Sequence, residues 1–179
     1  MLCLAARTCE NRDVSGEVLQ RSTFSSPVGQ LVLLASELGL RAVLWGDTPE
    51  EWRRSRIDRS STVHEPHPTL VETAEQLEQY FEGNRRDFDL RLDVRGTNFQ
   101  RIVWNSLTRI PFGTTLSYQT QAASIDRPTA VRAVASANGK NPLSIVVPCH
   151  RVIGSNGQLS GFAGGLNAKR WLIDHEKQR

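Results

Sequence analysis

Residues 145–154, IVVPCHRVIG, set Cys149 and His150 directly behind Pro148, at the end of an apolar run rich in β-branched residues. A thiol attacks as its thiolate, and an unperturbed cysteine, with a pKa of about 8.5, is mostly protonated at neutral pH. An adjacent imidazole can accept that proton, so nucleophilic chemistry by sulfur is the first activity these residue types suggest. Neighbours on an extended chain point to opposite faces, so a Cys149–His150 pairing requires a bend or a bridging water. Pro148, which cannot donate to a ladder, is well placed to force one.

An imidazole acting as a base needs a partner on its far nitrogen, normally a carboxylate. The second half of the chain offers three: Asp126, Asp174 and Glu176. Asp126 falls in a turn, whereas Asp174 and Glu176 fall on a C-terminal helix whose buried face is set by Trp171, Leu172 and His175. Glu176, four residues beyond Leu172, can point inward. The same three residues also fit a plainer reading, with Cys149 a small core residue, His150 a satisfied core imidazole and Glu176 a surface charge.

The elements that must position this group can be read from periodicity. From Thr23, short β-type runs (TFSS, QLVLLAS, LRAVLW) separated by turns predict an antiparallel meander. Residues 46–68 form a charged, Pro-bearing connection. Thr69 and Glu72 make a capping-box pattern ahead of Leu70, Ala74, Leu77 and Phe81, which predicts a helix stopped at Gly83. FDLRLDV then alternates as a strand or extended linker. Thr97 and Gln100 repeat the capping pattern before Phe99, Val103 and Leu107. A short helix around Tyr118, Ala122 and Ile125 follows, and then a third, PTAVRAVASANG, with Pro128 in its first turn. The second and third make a helix-turn-helix candidate carrying Arg132. LSIVV reads as a brief strand, residues 150–165 as a Gly-rich loop, and NAKRWLIDHE as a final helix capped by Asn167.

A chain of 179 residues with 39% apolar content suffices for a folded core without covalent staples. Cys3, Cys9 and Cys149 are too few and too odd for a disulfide framework, which points to a reducing, intracellular compartment. No run approaches the length of a signal-peptide core or a membrane span, so no membrane partner is expected. Residues 1–95 hold 12 basic and 16 acidic side chains, and residues 96–179 hold 10 basic and 3 acidic. This asymmetry suggests two domains, the first at 21–95 and a basic second at 96–179 that faces a polyanion, behind an extension at 1–20 that shows no clear period.

PCHRVIG, with Asn141-Pro142, SGFAGG at 160–165 and KRWLIDHE at 169–176, closely resembles the methylated-DNA-protein-cysteine methyltransferases, the O6-alkylguanine-DNA alkyltransferases. The likeness is strong over 97–179 and holds in outline over 20–95. It implies an α+β protein: a ribonuclease-H-like N-terminal domain with a small antiparallel sheet and helix, and a mostly helical, winged-helix-like C-terminal domain. By that resemblance Cys149 accepts the alkyl group, His150 activates it through a water, Glu176 holds the imidazole and Asn141 braces the preceding turn. Tyr118 would donate to the purine and press on phosphate, while Val152, Phe162 and Ala163 would line the base pocket, the last through its backbone N–H. Arg132 would enter the stack vacated by the flipped nucleotide, with Thr129 and Ser155 contacting DNA from the minor-groove side.

The implied reaction is direct repair of O6-alkylguanine in double-stranded DNA by a monomer that works once; the residues leave open whether O4-alkylthymine is also accepted and whether binding to DNA is cooperative. The resulting thioether offers water no easy second step. No organic cofactor or metal is implied; Cys3, Cys9, His64 and His67 could be assembled into a zinc set, but their spacing matches no zinc motif. Three positions depart from the family pattern: Gln121 stands where an apolar residue is usual and is expected to loosen its helix, Phe162 replaces a common tyrosine, and Ala163 replaces a serine found in some members. Two rival readings are a protein that binds alkylated DNA without repairing it, which Cys149 disfavours, and a Cys-His-Glu hydrolase that recycles its thiol.

Overall fold

A strand with six consecutive buried residues needs packing on both faces, and the run at 31–36 becomes the second strand of a four-stranded sheet for that reason. The computed structural model describes residues 17–178. β1 (Leu19–Ser26), β2 (Gly29–Ser36), β3 (Gly39–Leu44) and the short β4 (Thr62–Val63) lie in the order β3-β2-β1-β4. The meander β1-β2-β3 is antiparallel as expected, and β4 adds to β1 in parallel, so the sheet is mixed. Leu19 already belongs to β1, within the stretch assigned from sequence to an extension; residues 1–16, with Cys3 and Cys9, lie outside the described part.

Alternation along the strands separates two packing layers. Val32, Leu34, Ala42 and Leu44 pack with Trp52 of α1 (Pro49–Ser55), while Leu31, Leu33, Ala35 and Val43 join Leu70, Leu77 and Tyr80 of α2 (Pro68–Phe81) in the main core. α2 begins two residues earlier than the Thr69 capping pattern predicts, with His67 as its N-cap. Pro68 takes the first turn, where its missing N–H costs nothing, and the His67 ring accepts from the Thr69 N–H instead. That places His67 in a structural role. The predicted strand at 88–94 is an extended segment tied to the sheet through Leu40, which donates to Arg91 O and accepts from Asp93 N. Gly39, at φ +136°, permits this approach, since a Cβ there would stand 2.2 Å from Arg91 O.

The C-terminal part is helical: α3 (Asn98–Leu107), α4 (Tyr118–Ser124), α5 (Val131–Gly139) and α6 (Gly165–Lys177), with β5 (Leu116–Ser117) and β6 (Val152–Ile153) pairing in parallel. Both capping-box bonds between Thr97 and Gln100 are present. α4 and α5 form the helix-turn-helix, joined through Asp126 at φ +58°. Two predicted helix starts are corrected. α5 starts at Val131, because Pro128 to Ala130 form a separate turn, and α6 starts at Gly165 with no side-chain cap, so Asn167 sits inside its first turn.

Gln121 tightens the helical domain instead of loosening it. Only 1% exposed, its amide nitrogen donates to Val103 O and Ser106 Oγ on α3 and to Asn138 Oδ1 on α5, and its oxygen accepts from Asn138 Nδ2. Three helices meet at one satisfied polar group. Gln121→Leu is expected to strand the Asn138 amide and lower unfolding free energy by about 1–3 kcal/mol, measurable by urea denaturation.

Candidate active site

The segment leading to Cys149 has strand-like composition but is a series of tight turns. Val146 N–H donates to Ser144 O, Val147 N–H to Leu143 O and Cys149 N–H to Val147 O, with Ile145 at φ +71°. Asn141 explains why LSIVV is no strand. Its amide donates to Val147 O at 2.8 Å and accepts from Leu143 N at 3.0 Å, taking the backbone groups a neighbouring strand would need. From outside the turn, Val43 N–H binds Pro142 O and Arg54 Nη1 binds Asn141 O at 2.9 Å.

Beyond Pro148 the chain enters a 3-10 turn, Cys149–Arg151. With about three residues per turn, side chains there diverge by far less than on a strand, which relieves the opposition between Cys149 and His150. Both are buried, at 7% and 0% exposure.

Glu176 is the carboxylate that reaches His150, while Asp126 and Asp174 are exposed. Its Oε1 takes His150 Nε2 at 2.8 Å, Tyr80 Oη at 2.8 Å and Arg151 Nη2 at 3.0 Å; its Oε2 takes Arg151 Nε at 2.9 Å and Gly113 N at 3.1 Å. Burial pushes this carboxyl up, yet the hydrogen bonds from His150 and Arg151 and the charge of Arg151 act against that, and it is held at about 2. An ionised carboxylate can only accept, so His150 carries its proton on Nε2 and presents Nδ1 as a lone pair. Nδ1 is buried and has no partner in the protein. Burial pushes the imidazole down, against the pull of Glu176, which keeps it neutral. Burial also pushes the Cys149 thiol up, opposed by the Asn141 amide and the positive charges of Lys169 and Arg54.

The resting pair is therefore a neutral thiol and a neutral imidazole whose Nδ1 lone pair is left to accept a proton. Around it, Phe162 packs edge-on between His150 (ring centroids 6.5 Å apart) and Trp45 (5.2 Å). Tyr118, the first residue of α4, is half-buried and donates to Ser160 O at 3.3 Å. Val152 is buried at β6, and Ala163 is half-buried beside Phe162. Arg132 and Thr129, on and before α5, and Ser155, on the turn after β6, stand outside this buried group on exposed surface.

Comparison with known proteins decides the family. Residues 19–94 match the 6-O-methylguanine DNA methyltransferase ribonuclease-like domain, and residues 98–178 match the DNA binding domain of the same proteins. The chain belongs to the 6-O-methylguanine DNA methyltransferase family. Among its relatives, the methylated-DNA–protein-cysteine methyltransferase of Methanosarcina barkeri is 43% identical over 85% of this chain and 93% of its own length. That of Mycobacterium bovis is 45% identical over 88% and 92%. The O6-methylguanine methyltransferase of Mycobacterium tuberculosis superposes with a TM-score of 0.79 at 40% identity, covering 90% of this chain and 94% of that one. Mycobacterium tuberculosis OGT in complex with DNA gives 0.78 at 41%, covering 89% and 93%. The mixed fold, an N-terminal sheet with helices followed by a helical domain, is the fold of these methyltransferases.

Three site residues escape the sequence reading. Tyr80 reaches Glu176 from α2, 96 residues away in sequence. Arg151 neutralises Glu176 and also binds Ile110 O at 2.6 Å. Lys169 lies buried, its Nζ donating to Val152 O and Ser160 O. Arg151 adjoins the PCH triplet and Lys169 is four residues before Ile173 on the buried face, so spacing alone could have drawn attention to both. No local pattern points to Tyr80.

Proposed function

We propose that this chain repairs O6-alkylguanine in double-stranded DNA by moving the alkyl group irreversibly onto Cys149, once per molecule. The observation that carries the reading is the imidazole of His150, held at Nε2 by an ionised Glu176 and left with a buried, unpartnered Nδ1 on the residue that follows Cys149 in the same 3-10 turn. Nδ1 takes the thiol proton, directly or through a water. Sγ attacks the alkyl carbon, the S–C bond forms as the C–O6 bond breaks, and the guanine leaves with its negative charge quenched by a proton returned through His150 or by a hydrogen bond from Tyr118. Asn141 holds the turn that aims the sulfur, and Phe162, Val152 and the Ala163 N–H form the wall for the base.

The target carbon is inside the duplex, so the nucleotide must be extruded, and the exposed helix-turn-helix with Arg132 and Thr129 is suited to that task. Ser155 adds a contact from the opposite loop. The basic charge of residues 96–179 makes binding insensitive to sequence and weaker in salt. Incubation with a methyl-labelled O6-methylguanine duplex tests the reading: one equivalent of stable label on Cys149 is expected, with no further turnover. Loss of the lesion with Cys149 unmodified would overturn it. Arg132→Ala is expected to slow repair in duplex DNA by roughly tenfold or more, since extrusion costs a few kcal/mol. Its reaction with free O6-benzylguanine should match wild type in a parallel rate measurement.

A further inference from the structure

Lys169 is an ammonium with 0% exposure, on α6. Its Nζ donates to Val152 O at 2.6 Å and Ser160 O at 3.0 Å and lies 5.7 Å from the centre of the Tyr118 ring. Arg151, the other cation buried in this region, is paired with Glu176, whereas the hydrogen bonds of Lys169 reach carbonyls and no carboxylate. A buried charge without a counter-ion is strongly unfavourable, and a clamp between two carbonyls needs only a neutral donor. The position therefore has a use for the charge itself.

Resting on the reading of Cys149 as the alkyl acceptor, we propose that Lys169 is a positioning residue for transfer. Its ammonium is the counter-charge of the Cys149 thiolate, and its two carbonyl bonds fasten the pocket loop at Ser160 to the segment just past the sulfur. Val152 is three residues beyond Cys149, and Ser160 O also receives the Tyr118 hydroxyl, so Nζ joins the three walls of the pocket. Burial pushes the ammonium down and the charge of Cys149 pulls it back up, while Lys169 in turn favours the thiolate. The other groups acting on the thiol are the Asn141 amide and Arg54 from α1, with a raised Tyr118 hydroxyl nearby; His150 is flanked by Glu176 and Arg151. Arg54 is committed to Glu51 and Asn141 O, which leaves Lys169 as the buried cation free to answer a new negative charge.

The test uses full-length protein with Cys3→Ser and Cys9→Ser, so that Cys149 is the one thiol, and follows iodoacetamide alkylation against pH. Lys169→Met, similar in length and uncharged, is expected to displace the alkaline limb upward by about one pH unit, making alkylation about tenfold slower at neutral pH. Lys169→Arg should keep the limb near wild type. A Lys169→Met limb in the wild-type position, even with slower rates throughout, overturns the proposal, because a purely mechanical clamp would scale the rates without moving the limb. Should Lys169→Met fail to fold by circular dichroism, lysine NMR of the otherwise intact protein decides. The Lys169 ammonium should titrate at lower pH in Cys149→Ser than in wild type, and identical titrations overturn the idea. Methyl transfer from an O6-methylguanine duplex is run alongside: an unlabelled wild-type Cys149 refutes the proposed function, and a labelled one with an unmoved limb refutes the role of Lys169 alone.

Discussion

Cys149→Ser is expected to abolish alkyl transfer while leaving duplex affinity unchanged. The serine side chain fits the same buried position and can use the Asn141 amide, so the 3-10 turn and the helix-turn-helix surface stay in place. A hydroxyl is a far weaker acid than a thiol, and a neutral imidazole whose basicity is already reduced by burial cannot hold its proton long enough to build an alkoxide. Oxygen is also poorly matched to a soft alkyl carbon. Fluorescence anisotropy with an O6-methylguanine duplex should show wild-type binding, and mass spectrometry should show no label anywhere on the variant. Label retained at position 149 would sink the mechanism.

The second large effect concerns Glu176, whose carboxylate accepts from five donors in the interior. Glu176→Gln leaves Arg151 buried without its anion and replaces an acceptor with a donor facing Tyr80, His150 and Arg151. A loss of about 3–5 kcal/mol in unfolding free energy is expected, as for other broken buried pairs, with repair lost in parallel. Chemical denaturation checks it; an unchanged midpoint would mean that these bonds contribute nothing net.

Acid lability has the same origin. The folded carboxyl titrates at about 2, below its ordinary 4.5, so its contribution is complete above pH 4.5 and is lost as pH falls toward 2. A shift of that size corresponds to about 3 kcal/mol. His150 adds to the trend in the same direction. Its folded pKa lies below the ordinary 6.5, so as pH falls through 6.5 the unfolded chain takes up a proton that the folded one refuses. Wild-type stability should therefore begin to fall near pH 6.5 and fall further below 4.5, with the lower stage missing from Glu176→Gln.

Much of the site was legible from residue types. Cys149, His150 and the inward-facing Glu176 follow from chemistry and helical spacing, and the family likeness added Asn141, Tyr118 and Phe162, all of which the fold brings close to the sulfur or its pocket. The misreadings have two causes, both in how backbone groups are satisfied. Apolar composition cannot distinguish a strand from a buried turn whose backbone is satisfied by a side chain, and that is what Asn141 does for 143–147. Helix starts at Thr69, Pro128 and Asn167 were displaced because capping depends on which backbone N–H groups the preceding turn leaves unpaired.

Local sequence by itself determined the meander and the helices, since periodicity and capping act over a few residues, and its residue types pointed to Cys149 and His150 as the proposed nucleophile and base. Only tertiary structure decided how the charges in the interior are arranged. Tyr80, Arg151 and Gly113 converge on Glu176 from separate elements, Gln121 meets Asn138 across two helices, and Lys169 lies behind the pocket. Burial makes every such group costly unless a partner arrives, and those partners come from distant parts of the chain that only folding brings together.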